Sequence, residues 1–401
     1  MPVPASAPRA VVIGGGIGGL TAAAALHHDG WAVTVLERAA ALEPVGAGIA
    51  LAPNAQRALD TFGAGDEVRA LSAWQSDGGL RLPGGRWISR TDGEAAARRF
   101  GGPVALVHRA DLAGLLAARL PDGAVRTGAP AALADPGDAG RPARVTAPGG
   151  DLEAELVVAA DGIHSATRAV LFPGHPAPRY TGATVWRFVV PAPSAPFTPH
   201  ETWGRGRIWG TVPLSGGRVY AYAQAVAPRR AVSPGGEPAQ LRRLFGDWHR
   251  PVPDLLDAVD PAAILRNDVH AMTAPLPAHH HGRVAVIGDA AHAMPPNIGQ
   301  GGCQAVEDAV VLAHVLAGAG EDVPAALEDY TRLRLPRTTA VVRRAERVAR
   351  LTRLSSPLAC ALRTAAVTTA DRLGPRMVLR GLDGIADWHP PARPPLPTPV
   401  A

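Results

Sequence analysis

The stretch from Arg9 to Arg38 constrains the fold more than any other part of the chain. A short apolar, β-branched run at residues 10–13 breaks at Gly14-Gly15-Gly16-Ile17-Gly18-Gly19 and passes into an alanine-rich, helical segment at residues 20–28. A second apolar run, residues 32–36, ends in Glu37-Arg38. Strand, glycine turn, helix, strand and acid in this order are the parts of a βαβ unit that binds a dinucleotide. Gly14 allows the sharp turn, Gly16 lets a pyrophosphate approach the backbone, and Gly19 lets the helix sit close on the sheet. The helix N-terminus offers free N–H groups and roughly half a positive charge to the phosphates. Glu37 can accept the ribose hydroxyls, a contact worth about 1.5–3 kcal/mol when desolvated.

Two later segments repeat the pattern of a buried strand ending in an acid. Residues 156–160 lead into Asp161-Gly162-Ile163-His164-Ser165 and then Arg168. Residues 283–287 lead into Gly288-Asp289-Ala290-Ala291-His292, then Pro295, Asn297, the run Gly299-Gln300-Gly301-Gly302, and a helix carrying Glu307 and Asp308. Open α/β sheets bind ligands at such carboxyl ends. Any one Asp-Gly could be a helix cap or a turn. Three strand ends of this kind point to one shared site.

All 40 basic residues among the 401 are arginine. Without lysine, neither a P-loop nor a Schiff-base enzyme can be built by the usual route. The net charge of +5 could be concentrated between Arg332 and Arg353, where eight arginines fall. No aromatic residue interleaves them as a stacking surface would want, so they read as a solvated, partly packed helix rather than a nucleic-acid site. Cys303 and Cys360 lie far apart without ligand spacing, which predicts no disulfide, no metal site and a reducing compartment. Residues 1–10 are too short to hold a signal segment before the first strand, and no run approaches ~18 apolar residues. A cytoplasmic protein, monomer or homodimer, without an integral membrane segment is expected.

Residues 180–227 change character. Alternation at Thr184, Trp186, Phe188 and Val190, and at Arg218, Tyr220 and Tyr222, predicts antiparallel strands, with turns at residues 204–206 and 215–217. Residues 71–87 should add strands, with Gly-Gly turns at Gly78-Gly79 and Gly84-Gly85, and residues 241–259 form a helical insert outside the sheet. Residues 324–354 predict one or two helices with Pro336 as a break or kink, and residues 358–382 a further helix. A proline-rich tail occupies residues 390–401. The organisation expected is an α/β nucleotide domain from residues 1–70, 101–175 and 276–355, and a substrate domain from 71–100 and 176–275. C-terminal helices follow at 356–389.

The motifs GGGIGG, VHRADL (residues 107–112), AADGIHSATR (159–168) and GDAAHAMPPNIGQGGCQAVEDA (288–309) together resemble the single-component flavoprotein monooxygenases of p-hydroxybenzoate hydroxylase fold. The similarity spans residues 9 to about 350 and is greatest to the zeaxanthin epoxidase, urate hydroxylase and salicylate hydroxylase-like branch. It implies a Rossmann-type FAD-binding domain, an inserted antiparallel sheet roofing the flavin, and C-terminal helices. It also implies non-covalent FAD with NAD(P)H as co-substrate. Gly14, Gly16, Ile17, Gly19, Glu37 and Arg38 would hold the ADP half, and Arg109 the ribityl–pyrophosphate region. Gly288 and Asp289 would bind the ribityl or pyrophosphate segment, and Gly299, Gln300, Gly301 and Gly302 would lie along the isoalloxazine pyrimidine edge. Asp161 and Gly162 would serve both FAD and NAD(P)H. Asn54 would lie beside the flavin or cap a helix.

Around the substrate the resemblance implies Tyr220, Arg207 and Pro295 at the chemistry, lined by Trp186, Arg187, Trp209, Tyr222 and Met294. Tyr220 is favoured for positioning because urate hydroxylases use a tyrosine at the matching place. This chain has Ile208 and Asn297 where those enzymes carry an arginine and an aspartate, which argues against urate. The implied reaction inserts one oxygen atom of O2, activated at flavin C4a, into a small, relatively apolar aromatic or polycyclic substrate. No residue stands out as a general base; His270 and His292 read as structural. Epoxidation of an alkene by the same chemistry, or a flavin reductase without oxygen insertion, are the alternatives.

Overall fold

The computed structural model describes residues 7–42, 47–73, 77–317, 320, 322–374 and 382–392. The strand Arg9–Ile13 sits inside a six-stranded sheet, between Ala32–Leu36 on one side and Leu156–Ala159 on the other. Val284–Val286 continues the sheet in parallel beyond Leu156–Ala159, and Val125–Arg126 continues it beyond Ala32–Leu36. His280–His281 closes it as an antiparallel edge. Three adjacent parallel strands therefore end at one edge, and Gly14, Asp161 and Gly288 follow them there. Most residues of these three strands are buried, as strands covered on both faces require.

The helix Ile17–His28 starts three residues earlier than the alanine run suggests. Its small residues let it lie between the sheet and a second buried helix, Gly301–Leu316, within one core cluster. Val323–Thr352 is a single helix that runs through Pro336 rather than breaking there. Pro336 is exposed, so water can satisfy the Arg332 carbonyl that loses its helical partner. The arginines of this helix are partly solvated and partly packed: Arg332, Arg343, Arg347 and Arg350 are exposed. Arg334 is 1% exposed, and Arg337, Arg344 and Arg353 donate to backbone carbonyls of other segments.

The second sheet has seven strands in the order Leu265–Ala271, Arg179–Pro191, Arg218–Val226, Arg207–Leu214, His200–Trp203, Gly78–Arg81, Trp87–Thr91. All neighbours pair antiparallel except His200–Trp203 with Gly78–Arg81, which are parallel. Gly78-Gly79 thus lies within a strand, while Gly84-Gly85 makes the turn. The insert resolves into helices Gly236–Phe245 and Val252–Ala258, which cover the outer face of this sheet. The inner face looks onto the parallel sheet across a cleft. A three-stranded sheet, Ala132–Asp135, Ala143–Ala147 and Gly150–Ala154, was not anticipated from the sequence. The helix Pro357–Arg372 and a turn segment at residues 382–392 form the described C-terminal part, and residues 393–401 of the proline-rich tail lie outside the described residues.

Candidate active site

The glycine turn is shaped by contacts. A Cβ on Gly19 would stand 2.0 Å from the Gly14 carbonyl oxygen, and one on Gly14 would stand 2.4 Å from that of Ala160. Gly19 lets the helix sit on the turn, and Gly14 lets the turn sit on the end of the neighbouring strand. A Cβ on Gly16 would meet nothing within 4 Å, so its side is open to a ligand. The helix begins there with no side-chain cap and no acid in its first turn, leaving its N–H groups for an anion. Glu37 closes the far side, accepting from the Gly15 amide at 2.6 Å and the Ala39 amide at 2.8 Å. Arg38 is exposed, and Ile17 is buried as the first residue of the helix.

Asp161 accepts from the Thr167 amide through Oδ2 at 3.0 Å, while its buried Oδ1 has no partner among the described residues. Arg168 braces this loop to the next, donating to the carbonyls of Ile163 and Ala290. Asp289 is exposed at the start of a short helix, and a Cβ on Gly301 would lie 3.9 Å from its Oδ1. A phosphate-accepting turn, an unsatisfied buried carboxylate and a second uncapped helix N-terminus at Gly301 fit a dinucleotide carrying a fused ring.

The cleft has a volume of about 860 Å³. Its floor is formed by Gly48, Ile49, Ala50, Arg109, Asp289 and the Gly299–Gly302 region, with Met294 beside them. Its roof is formed by Val185, Arg187, Ile208, Val212, Tyr220, Tyr222 and Gln224. The Tyr220 ring packs on Gly48, where a Cβ would come within 2.6 Å, and burial pushes its phenol up to about 12. Arg187 donates to Asn267 Oδ1 at 2.6 Å.

Three expected cleft residues lie on the opposite face of the roof. Trp186 and Trp209 are buried under the helical insert, with Trp209 5.4 Å from the Phe245 ring. Arg207 donates to the Leu244 carbonyl and sits over Trp248. Side chains alternate along a strand, so Arg187 and Ile208 can face the cleft only if Trp186, Arg207 and Trp209 do not. Pro295 is buried behind the loop whose Met294 and Pro296 line the cleft. The Gln300 side chain also turns inward.

Behind the loop lies a buried ionic cluster whose members had no assigned role beyond a place on the helix. Arg334 pairs with Glu307 Oε2 at 2.5 Å and Asp308 Oδ1 at 2.7 Å, and Arg337 reaches Glu307 at 2.6 Å. Asp308 Oδ2 accepts from the Gly288 amide at 2.9 Å and meets His292 Nε2 at 2.5 Å. Asn54 neither caps a helix nor faces the cleft: its Nδ2 donates to Gln300 Oε1 at 3.1 Å and Glu307 Oε1 at 2.7 Å. Burial alone would raise both carboxyls, but Arg334 and Arg337 hold Glu307, and His292 and Arg334 hold Asp308, below their ordinary values. The cluster ties both cleft loops, at Gly288 and at Gln300, to one rigid core. His292 is therefore structural, whereas His270 lines the cleft. Glu201 also lines it, and the surrounding His200-Glu201-Thr202-Trp203 carries no alternation that would have marked it in the sequence.

The FAD binding domain family matches residues 8–345. Aurachin C monooxygenase/isomerase of Stigmatella aurantiaca is 38% identical over 355 residues, covering 88% of this chain and 92% of that protein. The 3-amino-4-hydroxybenzoate 2-monooxygenase of Streptomyces cremeus is 37% identical over 352 residues, covering 85% of this chain and 86% of its own. The crystal structure of Klebsiella pneumoniae HpxO complexed with FAD and uric acid superposes with a TM-score of 0.85 at 28% identity, over 94% of this chain and 96% of that one. No described helix is long and apolar enough to cross a membrane. With its glycine turn, its three strand-end motifs and these relatives, the chain belongs to the FAD binding domain family of flavin-dependent aromatic monooxygenases and is itself an FAD-dependent monooxygenase.

Proposed function

We propose that the enzyme uses NAD(P)H and O2 to hydroxylate a small, largely apolar aromatic or polycyclic compound held between the roof sheet and the Gly299–Gly302 loop. FAD, when bound, supplies the activation of dioxygen; the chain supplies binding, orientation and exclusion of water. Gly14, Gly16, Gly19 and Glu37 would hold the ADP half, and Asp161, Arg109 and Asp289 the central part. The helix N-terminus at Gly301 would stabilise negative charge on the pyrimidine edge of the ring system. Tyr220, fixed on Gly48, would position the substrate.

The observation that carries this reading is the character of the roof. Val185, Ile208 and Val212 face the cleft beside Tyr220 and Tyr222, a surface that suits the flat face of a ring. Ile208 and Asn297 lack the charge that a polar purine would need, which favours a less polar ring than urate. A panel of aromatic and alkene compounds, assayed for stimulated NAD(P)H oxidation under labelled dioxygen, tests it. At least one ring compound should gain one labelled oxygen. NAD(P)H oxidation without label in any product would instead identify a reductase.

A further inference from the structure

A second, smaller cavity of about 170 Å³ lies on the far side of the Asp289–His292 turn from the cleft. One wall is a stripe of the long helix Val323–Thr352, where Leu335, Thr338 and Val342 recur at three- and four-residue spacing and share a face. Met272, His279 and His292 form the opposite side. These walls are held in place: the Met272 amide donates to the Ala293 carbonyl at 3.0 Å, and the His279 amide to Thr331 Oγ1 at 3.0 Å. Cavity and cleft share no residue among those described as lining them. They nevertheless share one turn of chain. Asp289 lines the cleft, while Ala291 and His292, two and three residues on, line the cavity.

The buried polar residues of the cavity are His279, His292 and Thr338, each at most 4% exposed. Thr338 Oγ1 already donates to the Arg334 carbonyl at 3.0 Å. Each imidazole keeps a buried Nδ1 without a partner among the described residues. The other nitrogen of His292 meets Asp308 Oδ2, a carboxylate oxygen that also accepts from the Gly288 amide. The ring hydrogen of His292 therefore sits on Nε2. Burial lowers His279 to about 3, so that ring is neutral and offers one donor and one acceptor. Buried polar atoms of this kind call for a hydrogen-bonding partner. The only fixed charges among the described lining residues, Arg343 and Glu346, are more exposed and opposite in sign. An ion would thus find no buried counter-charge here, whereas a neutral hydroxyl can both donate and accept beside two imidazoles whose centroids are 5.9 Å apart. Met272, Leu335 and Val342 supply apolar surface, and the volume is that of a cavity holding one six-membered ring.

We propose that this cavity is an effector site for a small neutral hydroxylated ring of the size of phenol, and that its occupancy tightens FAD binding. The ring would pack against the back of the turn that carries Asp289 and hold that carboxylate in place for the cofactor. No bond is made or broken, and the site holds whichever compound the cleft oxidises. The coupling rests on Asp289 standing at the flavin site.

The test measures the FAD Kd by flavin fluorescence in phenol, in toluene and in neither, for wild type, Thr339→Trp and His279→Phe. Saturating phenol should lower the wild-type Kd about fivefold. Toluene, the same ring without the hydroxyl, should act about tenfold more weakly. Thr339 is a half-buried lining residue, so its tryptophan variant fills the cavity; it should still bind FAD but lose the response to phenol. A response that survives in Thr339→Trp would place the phenol in the cleft and overturn the proposal. His279→Phe should respond to both rings alike, and an undiminished preference for phenol there would overturn the hydrogen-bonding assignment. Crystals of FAD-loaded wild type soaked in phenol give a readout that needs no variant. The ring should lie in the cavity with its hydroxyl at hydrogen-bonding distance from His279 or His292. Water alone in the cavity, or a ring bound at crystal concentration only with the FAD Kd unchanged, would overturn the effector site.

Discussion

Ile208 and Trp209 are neighbours in the chain but serve different environments. Ile208 faces the cleft, while Trp209 is wholly buried beneath the helical insert. Removing the Trp209 side chain should therefore affect folding rather than binding. Trp209→Ala is expected to lower stability by about 3–5 kcal/mol, read as a drop in the urea midpoint, without changing substrate KM in the folded fraction. Tyr220→Phe should do the reverse, raising KM with little movement of the midpoint. An unchanged KM in Tyr220→Phe would remove that residue from the substrate wall. Strand alternation sends Trp186 and Arg187 to opposite faces, and likewise Ile208 and Trp209, so the expectation that Trp186, Arg187 and Trp209 all line the substrate could not hold for all three. Alternation could not show which face looks into the cleft, because the insert covers the other face with equally large aromatic residues. The glycine turn was more legible, since strand, turn and helix follow one another within thirty residues. The close approach of Gly19 to the Gly14 carbonyl lies within one short turn, whereas the contact of Gly14 with Ala160 is long-range.

At the scale of elements, the helices Gly301–Leu316 and Val323–Thr352 are joined by charges rather than by apolar packing alone. Glu307 and Asp308 are fully buried, so their stability depends on Arg334 and Arg337. Arg334→Met would leave buried carboxylates short of a partner and should cost about 3–5 kcal/mol, measured by urea unfolding at neutral pH. A loss below about 1 kcal/mol would mean that water relieves the cluster. The pH dependence has a definite sign. Both carboxyls are held below their ordinary values in the folded state. Their contribution is present above the unfolded carboxylate range, about pH 4, and is lost as pH falls through the folded values. Burial lowers His279 to about 3 from an ordinary 6.5, and it acts in the same direction over a higher window, weakening the fold as pH falls from 6.5 towards 3. Urea midpoints taken from neutral to acid pH should therefore begin to fall before the carboxylates titrate. A midpoint that stays flat until about pH 4 would show that His279 is not buried in its neutral form. The ion pairs were invisible in sequence because their partners come from two helices and from Asn54, some 250 positions away.

For the molecule as a whole, the cleft lies between two sheets, so a ligand filling it would contact both. FAD should stabilise the fold by about 2.7 kcal/mol at a hundredfold excess over its Kd, read as a melting temperature that rises with FAD concentration. Asp289→Ala should abolish this shift and yield colourless protein beside a yellow parent. A variant that keeps both colour and shift would exclude Asp289 from the flavin site. The sheet order carries one more consequence. The strand Val284–Val286 pairs with Leu156–Ala159 across more than a hundred intervening residues, which fold into the roof. During synthesis the first βαβ unit emerges early, yet it has no third strand end, no Gly299–Gly302 loop and no Glu307 cluster until most of the chain is made. Nascent protein should accordingly remain unable to retain flavin until the Val323–Thr352 helix has left the ribosome. Cofactor capture would then mark the end of folding rather than guide its beginning.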